Sequence, residues 1–255
     1  MERKKLKLSV ALAVYNESSN IASCLTSVRD IADEIVVVDG GSTDDTVKIA
    51  KSFGAKVIQT DNPPIFHINK QKALEACDGE WILQLDADEV IPVDLRDEVI
   101  HLIHNTPKCN GYFIPRKNYF WGHFMKKGGQ YPDYVIRLVK KGYAKFPCKS
   151  VHEQIEVKGQ TGYITHAMLH YSYKTRAEYW KKADAYTTLT SKELKSSHRN
   201  GFILFVEYCI IKPIRTFFMI FIRHKGFMDG LTGFEFALYS GFHYPTAFFK
   251  FLRMT

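Results

Sequence analysis

Between residues 8 and 90 the chain alternates two hydrophobic patterns. LSVALAV at 8–14, EIVVVD at 34–39, AKVIQT at 55–60 and WILQLD at 81–86 are short aliphatic runs without regular polar alternation. Strands buried on both faces of a parallel sheet read this way. Between them, apolar residues recur at helical spacing. Residues 18–30 place Ile21, Cys24, Leu25 and Val28 on one face behind a Ser or Asn cap. Residues 42–54 repeat the pattern, with Ser42 or Thr43 as cap and Gly54 as stop, and NKQKALEACDG at 69–79 supplies a third helix. Strand, helix, strand, helix predicts a doubly wound, mainly parallel α/β sheet with right-handed crossovers.

The pattern then changes. GYFIPRKNYF, YVIRLVKKGYAKF and HEQIEV, all within 110–173, are rich in Tyr, Phe, Val and Ile and read as hairpin-like strands rather than further parallel ones. From 174 to 200 the sequence is polar and helical. Beyond 200 it becomes aromatic: fifteen of the thirty-five Phe, Tyr and Trp residues fall in the last fifty-five positions. These shifts predict a first domain over 1–173 and a helical, aromatic and basic extension over 174–255.

Composition narrows the class. Apolar residues make up 45% and charged residues 24% of the 255, a globular balance, and the formal net charge of +8 points to an anionic partner. The five cysteines are scattered and contain no C-x-x-C pair, so neither a disulfide framework nor a zinc site is indicated and a reducing compartment fits. The basic N-terminus precedes an apolar run of about seven residues, too short for a secretory h-region. It reads as the first strand.

In open α/β sheets ligands gather at the carboxyl ends of the strands. Three polar clusters fall there: YNE after the first run, DGGSTDD after the second and DADE after the fourth. The last crowds Asp86, Asp88 and Glu89 together. Like charges resist desolvation, and a cation among them relieves the repulsion. Two aspartates at i and i+2 on a kinked strand end can aim both carboxylates at one divalent ion, and Mg²⁺ or Mn²⁺ accepts such oxygen ligands while keeping positions for diphosphate.

LAVYNE, IVVVDGGSTDDT, NKQKALEACDGEWILQLDADE and VHEQI, in this order, resemble the catalytic domain of glycosyltransferase family 2, of the GT-A fold. The subgroup it looks similar to makes lipopolysaccharide core and related surface glycans. The resemblance implies an inverting transfer from a nucleotide-sugar, a UDP-sugar in the first instance, to a glycan or lipid-linked acceptor. It places Tyr15, Asn16 and Glu17 at the nucleotide and Asp39 at its base or ribose. Lys70 and Gln71 stand where the family commonly has Arg-Asn at the donor, and Asp86, Ala87 and Asp88 match the D-x-D. Glu153 takes the place of the base that removes the acceptor proton, with His152 beside it to orient it or touch phosphate. His170 is either a further metal ligand or a structural histidine. Asp133 is a rival base, and Arg137 either holds diphosphate or pairs with an acid.

The stretch GFILFVEYCIIKPIRTFFMIFIRHKGF at 201–227 is interrupted by Glu207, Lys212, Pro213 and Arg215, so it falls short of the ~20 apolar residues of a spanning helix. Its mixture of Phe, Ile, Lys and Arg suits helices on an anionic bilayer surface. The alternative is a subdomain packed on the core or on a second chain. The expected location is the cytoplasm, at the inner face of the cytoplasmic membrane. Two rival functions stand beside this reading. A nucleotidyltransferase would call for a Gly-rich basic loop that LAVYNES lacks, and a non-catalytic carbohydrate- or nucleic-acid-binding module leaves the acidic cluster unexplained. No nucleic-acid partner is expected.

Overall fold

The computed structural model describes residues 7–105, 107–149, 153–197 and 199–254. They form two compact units, the first from the described parts of Met1–Arg116 and Tyr134–His170, the second from Lys117–Asp133 and Tyr171–Thr255. The sequence division at 173/174 lies close to one of these boundaries, but the second unit also takes in residues 117–133.

The first unit is built on four parallel strands, β1 (Leu8–Val14), β2 (Glu34–Asp39), β3 (Lys56–Gln59) and β4 (Trp81–Leu85), in the order β3-β2-β1-β4. The crossovers are α1 (Ile21–Val28), α2 (Thr46–Ser52) and α3 (His67–Glu75). Helix α1 buries Ile21, Cys24, Leu25 and Val28, the stripe its spacing predicts. Helix α2 begins later than the sequence suggests, behind Asp45, and Gly54 ends it in a left-handed conformation (φ 76°). After β5 (Glu89–Val90) and α4 (Val93–His104), the chain adds β6 (Gly111–Phe120), β7 (His123–Phe124), β8 (Asp133–Lys140), β9 (Ala144–Lys145), β10 (Glu156–Val157), β11 (Thr161–Tyr163) and β12 (Met168–Tyr173).

Strand β8 runs antiparallel to β4, and β12 antiparallel to β5, so these two extend the sheet with reversed strands, while β9 and β10 pair antiparallel in a separate two-stranded sheet. Leu8, Leu12, Leu25, Leu83, Leu95 and Ile114 are fully enclosed between this sheet and its helices.

The second unit is mostly helical. Its helix α5 (Arg176–Ser196) starts at Thr175, whose hydroxyl accepts from the Glu178 N–H while Glu178 accepts from the Lys174 N–H, a reciprocal cap. A continuous helical limb follows: α6 (Gly201–Phe205), a π turn over Val206–Ile211, α7 (Lys212–Phe218) and a second π turn over Met219–Arg223. Asn200 caps it, accepting from Phe202 N and Ile203 N. A short 3-10 turn, Gly226–Asp229, reverses the chain into α8 (Gly230–Arg253). The reversal requires Gly233, since a Cβ there would stand 1.9 Å from the Gly226 carbonyl oxygen. Asp229 is buried and accepts from the backbone N–H groups of Lys126 (2.9 Å) and Lys127 (2.8 Å), which fastens the 117–133 segment to the hairpin. Among the described residues no helix is long and apolar enough to cross a membrane.

Candidate active site

Two loops at the carboxyl ends of β1 and β2 are clamped to each other. Asn16, in the left-handed region at φ 54°, gives its N–H to Ser42 Oγ (2.8 Å) and accepts with Oδ1 from Thr43 N (2.8 Å). Glu17 N donates to Thr46 Oγ1 (2.8 Å) and Ser18 N to Asp44 Oδ2 (3.1 Å). Hydrogen bonds from Thr46 and Ser18 hold the Asp44 carboxyl well below the usual carboxylate range. Ser42 and Thr43 are therefore not helix caps; they tie the second loop to the first. Tyr15 is exposed beside this clamp, and Glu17 turns its carboxylate onto Asn20.

Asp39 closes β2 and is fully buried. Its Oδ2 accepts from Gly41 N (3.1 Å) and Ser42 N (3.0 Å), while Oδ1 is enclosed without a hydrogen-bond partner. A buried carboxylate oxygen left this way is costly until a donor reaches it.

The crowded carboxylates after β4 are neutralised from within the protein. The register Leu83↔Leu138 places Gln84 across from Arg137, whose guanidinium donates to Gln84 Oε1, to Asp86 Oδ2 (2.6 Å) and to Glu89 Oε1 (2.8 Å). Lys70, carried inward on α3, lies 2.5 Å from Asp86 Oδ1, and Arg116 on β6 lies 3.7 Å from Glu89 Oε1. Burial acts to raise the Asp86 carboxyl, but Arg137 and Lys70 outweigh it and hold it well below the usual range. Three protein cations thus answer the repulsion for which the sequence reading invoked a metal. Arg137 is the partner of acids. The Sγ of Cys24 donates to the Asp86 carbonyl (3.5 Å), and burial, aided by Glu89, Asp88 and Asp86, pushes this thiol up and keeps it unreactive.

The second aspartate lies beside an imidazole. The β12–β5 register sets His170 opposite Glu89, one residue from Asp88, and leaves His170 Nε2 3.6 Å from Asp88 Oδ2 with both side chains largely buried. A carboxylate and an imidazole side by side fit a divalent ion that takes its other ligands from diphosphate and water. No group of three or more His, Cys, Asp and Glu side chains among the described residues is disposed to hold a metal by itself.

Ala87 is buried. Gln71 uses its amide on its surroundings, donating to Glu75 Oε1 (2.7 Å) and accepting from Phe146 N (2.8 Å). Glu153 accepts with both carboxylate oxygens from Lys149 N (2.9 and 3.0 Å), and His152 falls outside the described residues. Asp133 belongs to the second unit, where it accepts from Asn118 Nδ2 (3.1 Å). Arg116 and Gln84 were missed by the sequence reading. Gln84 is the one polar residue of the buried strand WILQL, and a buried amide in that setting requires a partner; Arg116 sits among other polar residues of β6 and carries no such signal.

Comparison with known proteins places the chain in a family. A family model described as glycosyl transferase family 2 matches residues 9–229. An uncharacterized glycosyltransferase of Rickettsia prowazekii is 30% identical over 249 residues, spanning 88% of this chain and 82% of that one. The lipopolysaccharide core biosynthesis glycosyltransferase LpsC of Rhizobium meliloti is 29% identical over 246 residues, spanning 90% and 86%. Glucosyl-3-phosphoglycerate synthase from Mycobacterium tuberculosis, solved with Mn²⁺, UDP and glucosyl-3-phosphoglycerate, is 26% identical over 46% of this chain and 45% of that one, with a TM-score of 0.36. The nucleotidyltransferase and non-catalytic readings lose their footing. The match over most of its length makes this chain a glycosyltransferase, a member of glycosyl transferase family 2.

Proposed function

We propose that the enzyme moves a sugar, with inversion, from a UDP-sugar to a glycan or lipid-linked acceptor in surface-polysaccharide or lipopolysaccharide-core synthesis, working at the cytoplasmic face of the membrane. The observation that carries the donor assignment is the enclosed, unpartnered Oδ1 of Asp39 at the end of β2. A nucleoside supplies the base N–H or ribose hydroxyl that such an acceptor lacks. The clamp through Asn16, Glu17, Ser42 and Thr43 holds that end of the site in place before the donor arrives. Tyr15 offers an exposed ring at the nucleotide.

Asp88 and His170 are the residues that would hold a divalent cation. Bound there, such an ion supplies neutralising charge for the departing diphosphate. Lys70 and Arg137 fix Asp86 as an anion, so Asp86 orders this corner of the site and keeps two cations near it. In the transfer, the acceptor oxygen bonds to the anomeric carbon on the face opposite the diphosphate. The bond from that carbon to diphosphate breaks with its electron pair, and the acceptor proton passes to a carboxylate. We assign that carboxylate to Glu153 by its place in the family pattern. Gln71 shapes the site through Phe146 and Glu75 rather than by direct donor contact.

Purified full-length protein is incubated with a panel of nucleotide-sugars, with and without Mn²⁺, and release of nucleoside diphosphate is measured. Release from one UDP-sugar, dependent on the metal, is expected. Equal release from every nucleotide, or none from any, overturns the donor assignment. Glu153→Gln is expected to keep donor affinity and lower kcat by about 10²–10⁴. If Asp133→Asn shows that loss and Glu153→Gln does not, the base is Asp133.

A further inference from the structure

We infer that the helical hairpin Gly201–Arg253 is a docking surface for an anionic phospholipid bilayer, with the groove between its limbs receiving a hydrocarbon chain. The inference deepens the reading of a membrane-face enzyme and rests on it only for its biological setting. Its physical basis is the hairpin itself.

On the first limb Ile210, Ile214, Phe218 and Ile222 recur every four residues and are 45–56% exposed. A spacing of four drifts around an ordinary α-helix. Here two π turns, wider than α turns, offset that drift and keep the four side chains in one row. On the second limb Leu231, Phe234, Phe242, Phe249 and Leu252 follow the ordinary helical period and are 40–68% exposed. At the tip, Phe227 and Met228 are exposed as well.

The two rows meet in a groove of about 280 Å³ lined by Pro213, Ile214, Phe217, Phe218, Leu238, Gly241 and Phe242, all apolar. Gly241 sets its width, because a Cβ there would lie 3.1 Å from the Pro213 carbonyl oxygen. An apolar face this continuous on a water-facing helix pair marks a partner.

Charge selects the partner. The hairpin carries three acids and all are engaged: Glu207 with Arg199 and Lys212, Glu235 with Arg176, and Asp229 with the Lys126 and Lys127 N–H groups. Arg215, Arg223 and Lys225 are exposed and have no acidic partner among the described residues. The uncompensated charge beside the apolar rows is therefore positive. A second copy of the chain would set these cations against their own kind, whereas phosphate headgroups above a hydrocarbon layer complement both the charge and the rows. With no helix among the described residues able to cross, the hairpin lies in the interface rather than through it.

The test is co-sedimentation of the full-length protein with vesicles of phosphatidylcholine alone and of phosphatidylcholine mixed with phosphatidylglycerol, over a salt series. Binding to the mixed vesicles that weakens with salt is expected. The triple variant R215Q/R223Q/K225Q should lower that partitioning roughly a hundredfold. Phe218→Ser with Phe242→Ser should lower binding to both vesicle types. If the serine variant fails to fold by circular dichroism, the triple variant, which alters exposed side chains only, decides alone. Background binding of the intact protein to the mixed vesicles at low salt overturns the inference. So does a dimer in light scattering that the serine changes abolish while vesicle binding stays at background. Donor hydrolysis without vesicles is measured in parallel and should be unchanged in both variants. Its absence in the intact protein alongside normal vesicle binding counts against the catalytic reading alone.

Discussion

Arg137 and Arg215 each follow an isoleucine, yet the two units give them opposite surroundings. Ile136-Arg137 lies on a sheet strand, with the arginine buried and bonded to Asp86, Glu89 and Gln84. Ile214-Arg215 lies on a helix with both residues exposed, the isoleucine in a row of apolar side chains and the arginine beside it. The first unit encloses its aliphatic residues and pays for buried charge with opposite charge. The second leaves apolar side chains and unmatched cations on its surface. The contrast shows that a local sequence fixes neither burial nor partner; the opposing element does. It also separates a region whose buried charges are matched internally from one that leaves apolar rows and cations on its surface.

The largest expected difference follows from removing each arginine. Arg137→Ala leaves Asp86 and Glu89 without their principal counter-charge and should destabilise the protein by about 3–5 kcal/mol in urea titration. Arg215→Ala should change stability by less than about 0.5 kcal/mol. Equal effects would erase the distinction between the units. Truncating apolar residues probes the same contrast. Leu83→Ala, in the enclosed sheet, should cost about 2–5 kcal/mol, whereas Phe218→Ala should cost little in water.

The two aspartates of the D-x-D should separate in the same way. Asp88→Ala should lower kcat/KM on the order of a hundredfold with little change in melting temperature. Asp86→Ala should lower both, since Lys70 and Arg137 lose a shared partner. Melting temperatures that fall together, or turnover insensitive to a chelator, would refute this division of roles.

The smallest effect concerns pH. Burial acts to raise the Glu98 carboxyl, but the N–H groups of Thr165 and His166 and the His166 ring outweigh it and lower its pKa. A carboxyl depressed in the folded state contributes stability that is present above its unfolded pKa of about 4.3 and is lost as pH falls through the folded value. Glu98→Gln should therefore flatten the acid side of the stability profile below about pH 5. A slope unchanged in acid removes this contribution.

Where a local pattern dictated the structure, the sequence was readable. The stripe Ile21, Cys24, Leu25 and Val28 needs only the helical period, and the aliphatic runs at 8–14 and 34–39 need only a sheet covered on both faces. The positions of Asp39 and Asp86 at strand ends were readable because the aliphatic runs that precede them are β2 and β4. The roles of Lys70 and Arg137 were not, since each depends on which side chain another element brings opposite it. Ser42 and Thr43 carry good capping chemistry, but the Asn16 loop offered them bonds that the helix start would have supplied. The membership of 117–133 in the second unit leaves no local trace. Its Tyr and Phe residues read as strand whichever unit holds them.

That membership, secured by Asp229 across about a hundred positions of chain, has a consequence in time. At synthesis rates of about 5–20 residues per second, residues 117–133 leave the ribosome several seconds or more before the carboxylate that receives the Lys126 and Lys127 N–H groups. During that interval Met125, buried in the finished protein, lacks the hairpin elements of its unit. The second unit is thus completed only after the hairpin that carries Asp229 has been made. A chain ending near residue 200 leaves an early segment waiting for a carboxylate that never comes.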